Sequence, residues 1–366
     1  MPQKMQTPAE PAKKEVGTPR PSASVILLSP ENEVLLLHRV RTSSVFPEAH
    51  VFPGGNLSEF HDGSIPTADS ADRHTDSLAY QLGAIRETFE ESGILIAREK
   101  GGDGELSNVS NADRDKARKS IYKNEVRFVE WLESVGGVAD TDNLIPFTRW
   151  ITPLGRMSRF TTQMYIYMLP LSNNSGNNTD PAISTAQSEA HVPTPDGDVE
   201  ITAARFDTPS TWLEKQRQRE IIMFPPQCFL LHLLSQFLTG PPEGSLGSRE
   251  LVEYYRAQRD KLKDFLSEVP TANEPSAAEH PTARIPWAEK VISPTVLGIR
   301  SSDKRSILAL DKPGPELKGS DRGGDWERVV LVNFAKGVAR DVEVRGRKEV
   351  LEEERRLENA SREPKL

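Results

Sequence analysis

The chain has 366 residues, with 46 Lys and Arg against 54 Asp and Glu, giving a formal net charge of −8. That length supports a well-buried core in one large domain or two small ones, and the acidic balance argues against a general nucleic-acid binder. The single cysteine, Cys228, excludes an intrachain disulfide framework, and no stretch is long and apolar enough to span a bilayer.

Residues 1–20 are rich in Pro, Lys, Glu and Thr and read as a disordered tail, lacking the apolar core of a signal peptide. Residues 24–28 and 34–37 are two apolar strands around the turn composition Pro30-Glu31-Asn32-Glu33. Val51-Phe52 ends a third strand before Pro53-Gly54-Gly55. A helix follows, with Asp76 and Ser77 as N-cap candidates, an apolar stripe Leu78, Leu82, Ile85 and Phe89, and Gly93 as its stop. Residues 101–111 are polar linker. Residues 113–135 read as one amphipathic helical insertion with Ile121, Val126, Phe128, Val129 and Leu132 inward.

Next come Trp150-Ile151-Thr152-Pro153, then Arg159-Phe160-Thr161-Thr162 and an apolar strand over 164–169. Trp150 and Phe160 read as core aromatics, and Arg159 as either a phosphate contact or a surface charge. Residues 171–198 have the Asn, Ser, Thr and Pro content of a disordered loop, and 199–206 that of a strand. Helices are predicted over 211–221, 226–238 and 249–268. Cys228 sits in an apolar run and reads as a buried small hydrophobe. The main body is expected to cover 21–270. Residues 271–366 form a linker and C-terminal extension, with strands over 328–333 and 340–345 and a charged helix over 348–358. The pattern leaves open whether this extension packs back or stands apart.

The chemistry concentrates in Arg86-Glu87-Thr88-Phe89-Glu90-Glu91-Ser92-Gly93. Glu87, Glu90 and Glu91 share a helix face at i, i+3 and i+4, off the apolar stripe. Like charges so close repel, and hard carboxylate oxygens in that pattern suit Mg²⁺ or Mn²⁺. Arg86 can pair with Glu90 one turn on and orient it.

Together with the upstream Val51-Phe52-Pro53-Gly54-Gly55, this string resembles the signature of the Nudix hydrolases. The resemblance implies a Nudix α/β/α sandwich with a mixed β-sheet and metal-dependent cleavage of a substituted diphosphate. It implies metal ligation by Glu90 and Glu91, a shared role for Glu87 in holding metal and deprotonating the attacking water, and a backbone carbonyl from Gly54 or Gly55. Gly55 and Arg86 stand 31 residues apart (86 − 55), about twice the family's spacing. The glutamate that the family carries two turns before the arginine falls on Leu78, with Asp76 a candidate substitute. Glu200, at a strand start, is a candidate further ligand and equally a solvated strand end. Arg39, Arg41 and His50 lie close enough in sequence to meet phosphates, though each reads more readily as a scaffold or surface residue.

Four segments, "VLLLHRVRTSSVFPEAHVFPGG", "AIRETFEESGILI", "RWITP…RFTT" and "IIMFPPQ", resemble one subgroup, the peroxisomal coenzyme A diphosphatases. That resemblance implies cleavage of CoA or acyl-CoA to 3′,5′-ADP and (acyl-)4′-phosphopantetheine. The terminal Pro364-Lys365-Leu366 is similar to the Ser-Lys-Leu address, which implies a peroxisomal import receptor as partner; otherwise the cytoplasm is expected. ADP-ribose or a dinucleotide such as NADH remains an alternative substrate, and a non-catalytic Nudix-fold binding module an alternative role.

Overall fold

A computed structural model describes residues 17–39, 48–102, 109–155, 158–171, 192–193, 199–242, 244, 246–335 and 337–362. The elements begin with strands β1 (Arg20–Leu28), β2 (Val34–Arg39), β3 (His50–Val51) and β4 (Gly54–Asn56), a single helical turn α1 (Glu59–Asp62) and the acidic helix α2 (Leu78–Ser92). After β5 (Ala97–Glu99) come helices α3 (Asn111–Tyr122) and α4 (Phe128–Ser134), then β6 (Gly137–Ala139), β7 (Ile145–Ile151) and β8 (Phe160–Met168). Strands β9 (Val192–Pro193) and β10 (Val199–Asp207) precede helices α5 (Pro209–Arg217), α6 (Pro225–Leu234), α7 (Ser248–Ser267) and α8 (Pro275–Ala278). The chain continues through strands β11 (Val291–Ile292), β12 (Thr295–Ile299), β13 (Ser306–Leu310), β14 (Asp325–Ala335) and β15 (Val338–Gly346) to helix α9 (Arg347–Arg362).

The main sheet runs β11-β7-β8-β1-β2-β10-β9, with β3 on β2 and β4 on β1. It is mixed: β1–β8 and β7–β11 are parallel and the other pairs antiparallel. Its central strands are apolar on both faces, as a strand buried between two layers must be. Val25 and Leu27 of β1 join Leu35 and Leu37 of β2 in one core with Ile85 and Phe89 of α2. Ile26, Leu28, Val34 and Leu36 point the other way, into a core with Trp212, Phe229 and Leu231 of α5 and α6. Helices on both faces of a mixed sheet make the expected α/β/α sandwich.

The C-terminal residues fold back. β11 extends the main sheet, and β12–β15 form an antiparallel four-stranded sheet. Leu308, Leu310, Val330 and Val332 of that sheet lie in the same core as Phe229 and Leu231. Trp287, fully buried, fills the join against Phe147, Phe229 and Phe265.

Several expectations need correction. The insertion is two helices, not one over 113–135: α3 stops at Tyr122, and Asn124 takes a left-handed conformation with φ of 57°, which Asn tolerates, before α4 begins. Leu78 is 59% exposed, so the buried side of α2 starts at Ala79 and Tyr80 instead. Arg159 is neither a phosphate contact nor a surface charge. It is buried, ion-paired with Glu316 of the C-terminal segment, and donates to the carbonyls of Thr152 and Gly17 at 2.9 and 3.1 Å.

Candidate active site

Helix α2 presents its last two turns to the glycine turn that leads into β4, which pairs antiparallel with β1. The register sets Gly55 opposite Ala23 and Gly54 opposite Ser24. Gly54 has a φ of 154°, and a Cβ there would lie 2.3 Å from the Ala23 carbonyl oxygen, so only glycine brings the turn this close. Its N–H donates to Glu91 Oε2 at 2.8 Å. A Cβ on Gly55 would lie 2.6 Å from the Glu87 carboxyl, so the turn packs directly on that side chain.

Arg86 is the hub. Its Nη1 donates to Glu87 Oε1 at 2.8 Å and Glu90 Oε1 at 2.9 Å, its Nη2 to the Asn56 carbonyl at 3.0 Å. Its Nε and Nη2 also form a two-pronged pair with Asp62, both at 2.9 Å. The guanidinium is only 4% exposed and the Asp62 carboxylate fully buried. Burial works against the charge of Arg86, but Glu87, Asp62 and Glu90 hold its pKa well above the ordinary value. The structure therefore gives Arg86 the task of holding the carboxylates.

Asp62 is the residue that sequence reasoning missed. The acid was sought by counting back from Arg86, which gives Leu78 or Asp76. Asp76 instead accepts from the Tyr165 hydroxyl at the far end of α2. Counting forward from the glycine turn leads to Glu59-Phe60-His61-Asp62, with the inserted residues lying after the acid. Ser58 N–H donates to Asp62 Oδ2 at 2.8 Å and fixes it at the end of α1.

The other candidates separate. Arg39 reaches the site, 3.8 Å from Glu91 Oε1. His50 does not: it stacks on His38 at 4.6 Å between ring centroids and packs near Trp212 on the opposite face of the sheet. Burial, then His38, drive its pKa down to about 3, so it is a neutral scaffold residue. Glu200 lies in β10, but its side chain, like Arg41 and Pro364-Lys365-Leu366, lies outside the described residues.

The donor chemistry fits a hard divalent cation: Glu87, Glu90 and Glu91 offer carboxylate oxygens beside the carbonyls of a glycine turn. Burial, and then Glu87, raise the Glu90 carboxyl to about 7 even with Arg86 attached, so the cluster holds more negative charge than its surroundings tolerate. Among the described residues no three His, Cys, Asp or Glu side chains already converge as ligands. Glu87 and Glu90 turn toward Arg86, and Glu91 toward the Gly54 amide.

The family model described as the NUDT19 Nudix domain matches residues 60–234, which include α2 and all three glutamates. Residues 60–234 are thus similar to the Nudix hydrolase superfamily. Within that superfamily the chain resembles the CoA diphosphatase subgroup. It is 29% identical over 247 residues to the acyl-coenzyme A diphosphatase NUDT19 of Xenopus laevis, covering 56% of this chain and 60% of that one. The Gallus gallus protein of the same name is 27% identical over 248 residues, 56% of this chain and 61% of that one. The putative nudix hydrolase 7 of Caenorhabditis elegans is 27% identical over 218 residues, 59% of this chain and 61% of that one. The match thus spans about three-fifths of each relative's length. Among solved structures, a NUDIX hydrolase from Alicyclobacillus acidocaldarius aligns with a TM-score of 0.43 at 20% identity, over 59% of this chain and 90% of that one.

Proposed function

We propose that this protein is a metal-dependent diphosphatase that cleaves CoA or acyl-CoA to 3′,5′-ADP and (acyl-)4′-phosphopantetheine. The observation that carries the chemistry is the buried Arg86 hub, which holds Asp62, Glu87 and Glu90 while the Gly54 amide holds Glu91. The choice of substrate rests on the resemblance to the acyl-CoA diphosphatases and on the four sequence segments quoted above.

Nudix hydrolases generally use divalent metals. Here Glu87, Glu90 and Glu91 would hold Mg²⁺ or Mn²⁺, with Gly54 or Gly55 adding a carbonyl. Bound there, the metal would lower the pKa of the attacking water and neutralise charge on the diphosphate oxygens. The protein's own contribution is orientation. Arg86 fixes two carboxylates through one guanidinium, and Asp62 fixes Arg86. Glu87, pressed against Gly55, is the carboxylate best placed by packing to accept a proton beside the turn.

The test is a product assay by mass spectrometry with Mg²⁺ and Mn²⁺, offering CoA, acetyl-CoA, ADP-ribose and NADH side by side, with Glu91→Gln as control. Release of 3′,5′-ADP from the CoA compounds, lost in the variant, is the expected result. Turnover of only ADP-ribose or NADH would discard the substrate and keep the chemistry. No turnover of any of the four would favour a binding module.

A further inference from the structure

Arg118 stands on α3, outside the glycine turn and the acidic helix. Its Nε and Nη2 both donate to the backbone carbonyl of Glu90, at 3.0 and 2.7 Å. That carbonyl belongs to the last turn of α2, where the helix itself supplies no amide partner. The amide that would have reached it, Ile94 N–H, is engaged by Ser92 Oγ at 3.2 Å. Gly93 leaves the helix in the left-handed conformation, and a Cβ there would come 3.3 Å from Arg118 Nη1. The guanidinium side chain is 15% exposed and 3.5 Å from Asp115 on its own helix.

The rest of the insertion is anchored around the same helix. Trp131 of α4 stacks on Phe89 at 4.9 Å, and the Phe128 amide donates to His61 Nδ1 at 3.2 Å, next to Asp62. Ala117 and Ile121 of α3 lie in the core beneath α2. Glu90 and Glu91 sit where a helix is most prone to fray, immediately before the glycine stop. A cation that closes an orphan carbonyl there also complements the helix dipole.

We propose that Arg118 is a positioning residue: the insertion clamps the C-terminal turn of α2 and so fixes Glu90 and Glu91 for a divalent cation. This rests on the metal-dependent reading above. Two effects of Arg118 oppose each other. Its charge by itself weakens cation binding nearby, whereas its two hydrogen bonds strengthen binding by holding the ligands in place. The proposal states that positioning wins.

The experiment uses the full chain, Arg118→Met, Arg118→Lys and Glu91→Gln. Amide exchange over residues 86–96 is measured without metal, and Mn²⁺ affinity by electron paramagnetic resonance of the free ion. Arg118→Met should speed exchange in that segment by roughly tenfold or more, leaving β1 protected. It should weaken Mn²⁺ binding by roughly 10- to 100-fold. Arg118→Lys, which retains the charge and one donor, should fall between, and it carries the test if the Met variant does not fold. Unchanged exchange over 86–96, or Mn²⁺ binding as tight as wild type or tighter in Arg118→Met, overturns the proposal alone. Equal Mn²⁺ binding by wild type and Glu91→Gln overturns the metal reading and this proposal with it.

Discussion

Removing the Asp62 carboxylate should both destabilise the fold and disorder the site. Asp62 is fully buried and receives Arg86 Nε and Nη2 and the Ser58 amide, each within 2.9 Å. Deleting one partner of a buried pair leaves the other charge undercompensated, at a cost of about 3–5 kcal/mol. Arg86 keeps Glu87, Glu90 and the Asn56 carbonyl, which places Asp62→Ala at the lower end, about 3 kcal/mol. Asp62→Asn keeps the shape and loses only the charge-assisted part, about 2 kcal/mol. Chemical denaturation of both variants gives the numbers directly. The double variant Asp62→Ala/Arg86→Met should lose about 1–3 kcal/mol less than the sum of the singles, because the second substitution removes the stranded charge. An Asp62→Ala loss under about 1 kcal/mol, with additive behaviour in the cycle, would refute the assignment and leave Glu87, Glu90 and the Asn56 carbonyl as the support of Arg86.

Four further outcomes can be checked on single variants. Gly55→Ala meets only the end of the Glu87 side chain, so it should lower turnover while the denaturation midpoint stays close to wild type. Gly54→Ala meets backbone at 2.3 Å and should lose stability, read in the same denaturant titration. Glu91→Gln can still accept from the Gly54 amide, so stability should hold while kcat falls by roughly 100-fold or more, measured on acetyl-CoA with Mg²⁺. His50 titrates near 6.5 when unfolded and about 3 when folded, so the unfolded chain takes up the proton first as pH falls. Its contribution is whole above pH 6.5 and is lost downward toward pH 3, reaching about 2 kcal/mol by pH 5. His50→Asn should therefore show a shallower loss of stability than wild type between pH 7.5 and 5.

The acidic helix and the glycine turn were legible in the sequence because both are local. An Arg and three Glu at fixed offsets define one helix face, and Gly54-Gly55 after an apolar pair defines a turn, whatever the rest of the chain does. The two-sided burial of β1 and β2 was legible for a similar reason, since Val25-Ile26-Leu27-Leu28 and Leu35-Leu36-Leu37 leave no polar face. The partners that complete the site were not legible. Asp62 meets Arg86 from 24 residues earlier in the chain, and no periodicity counts through a loop. Arg118 reaches Glu90 from a helix whose sequence shows only a charged outer face, because its hydrogen bonds go to a backbone carbonyl that carries no side-chain signature. His50, read more readily as a scaffold residue despite its nearness to the turn, is sent by alternation along β3 to the other face of the sheet, against Trp212. Side-chain spacing within one element picked out the three carboxylates, and only packing between elements decided which residues hold them in place.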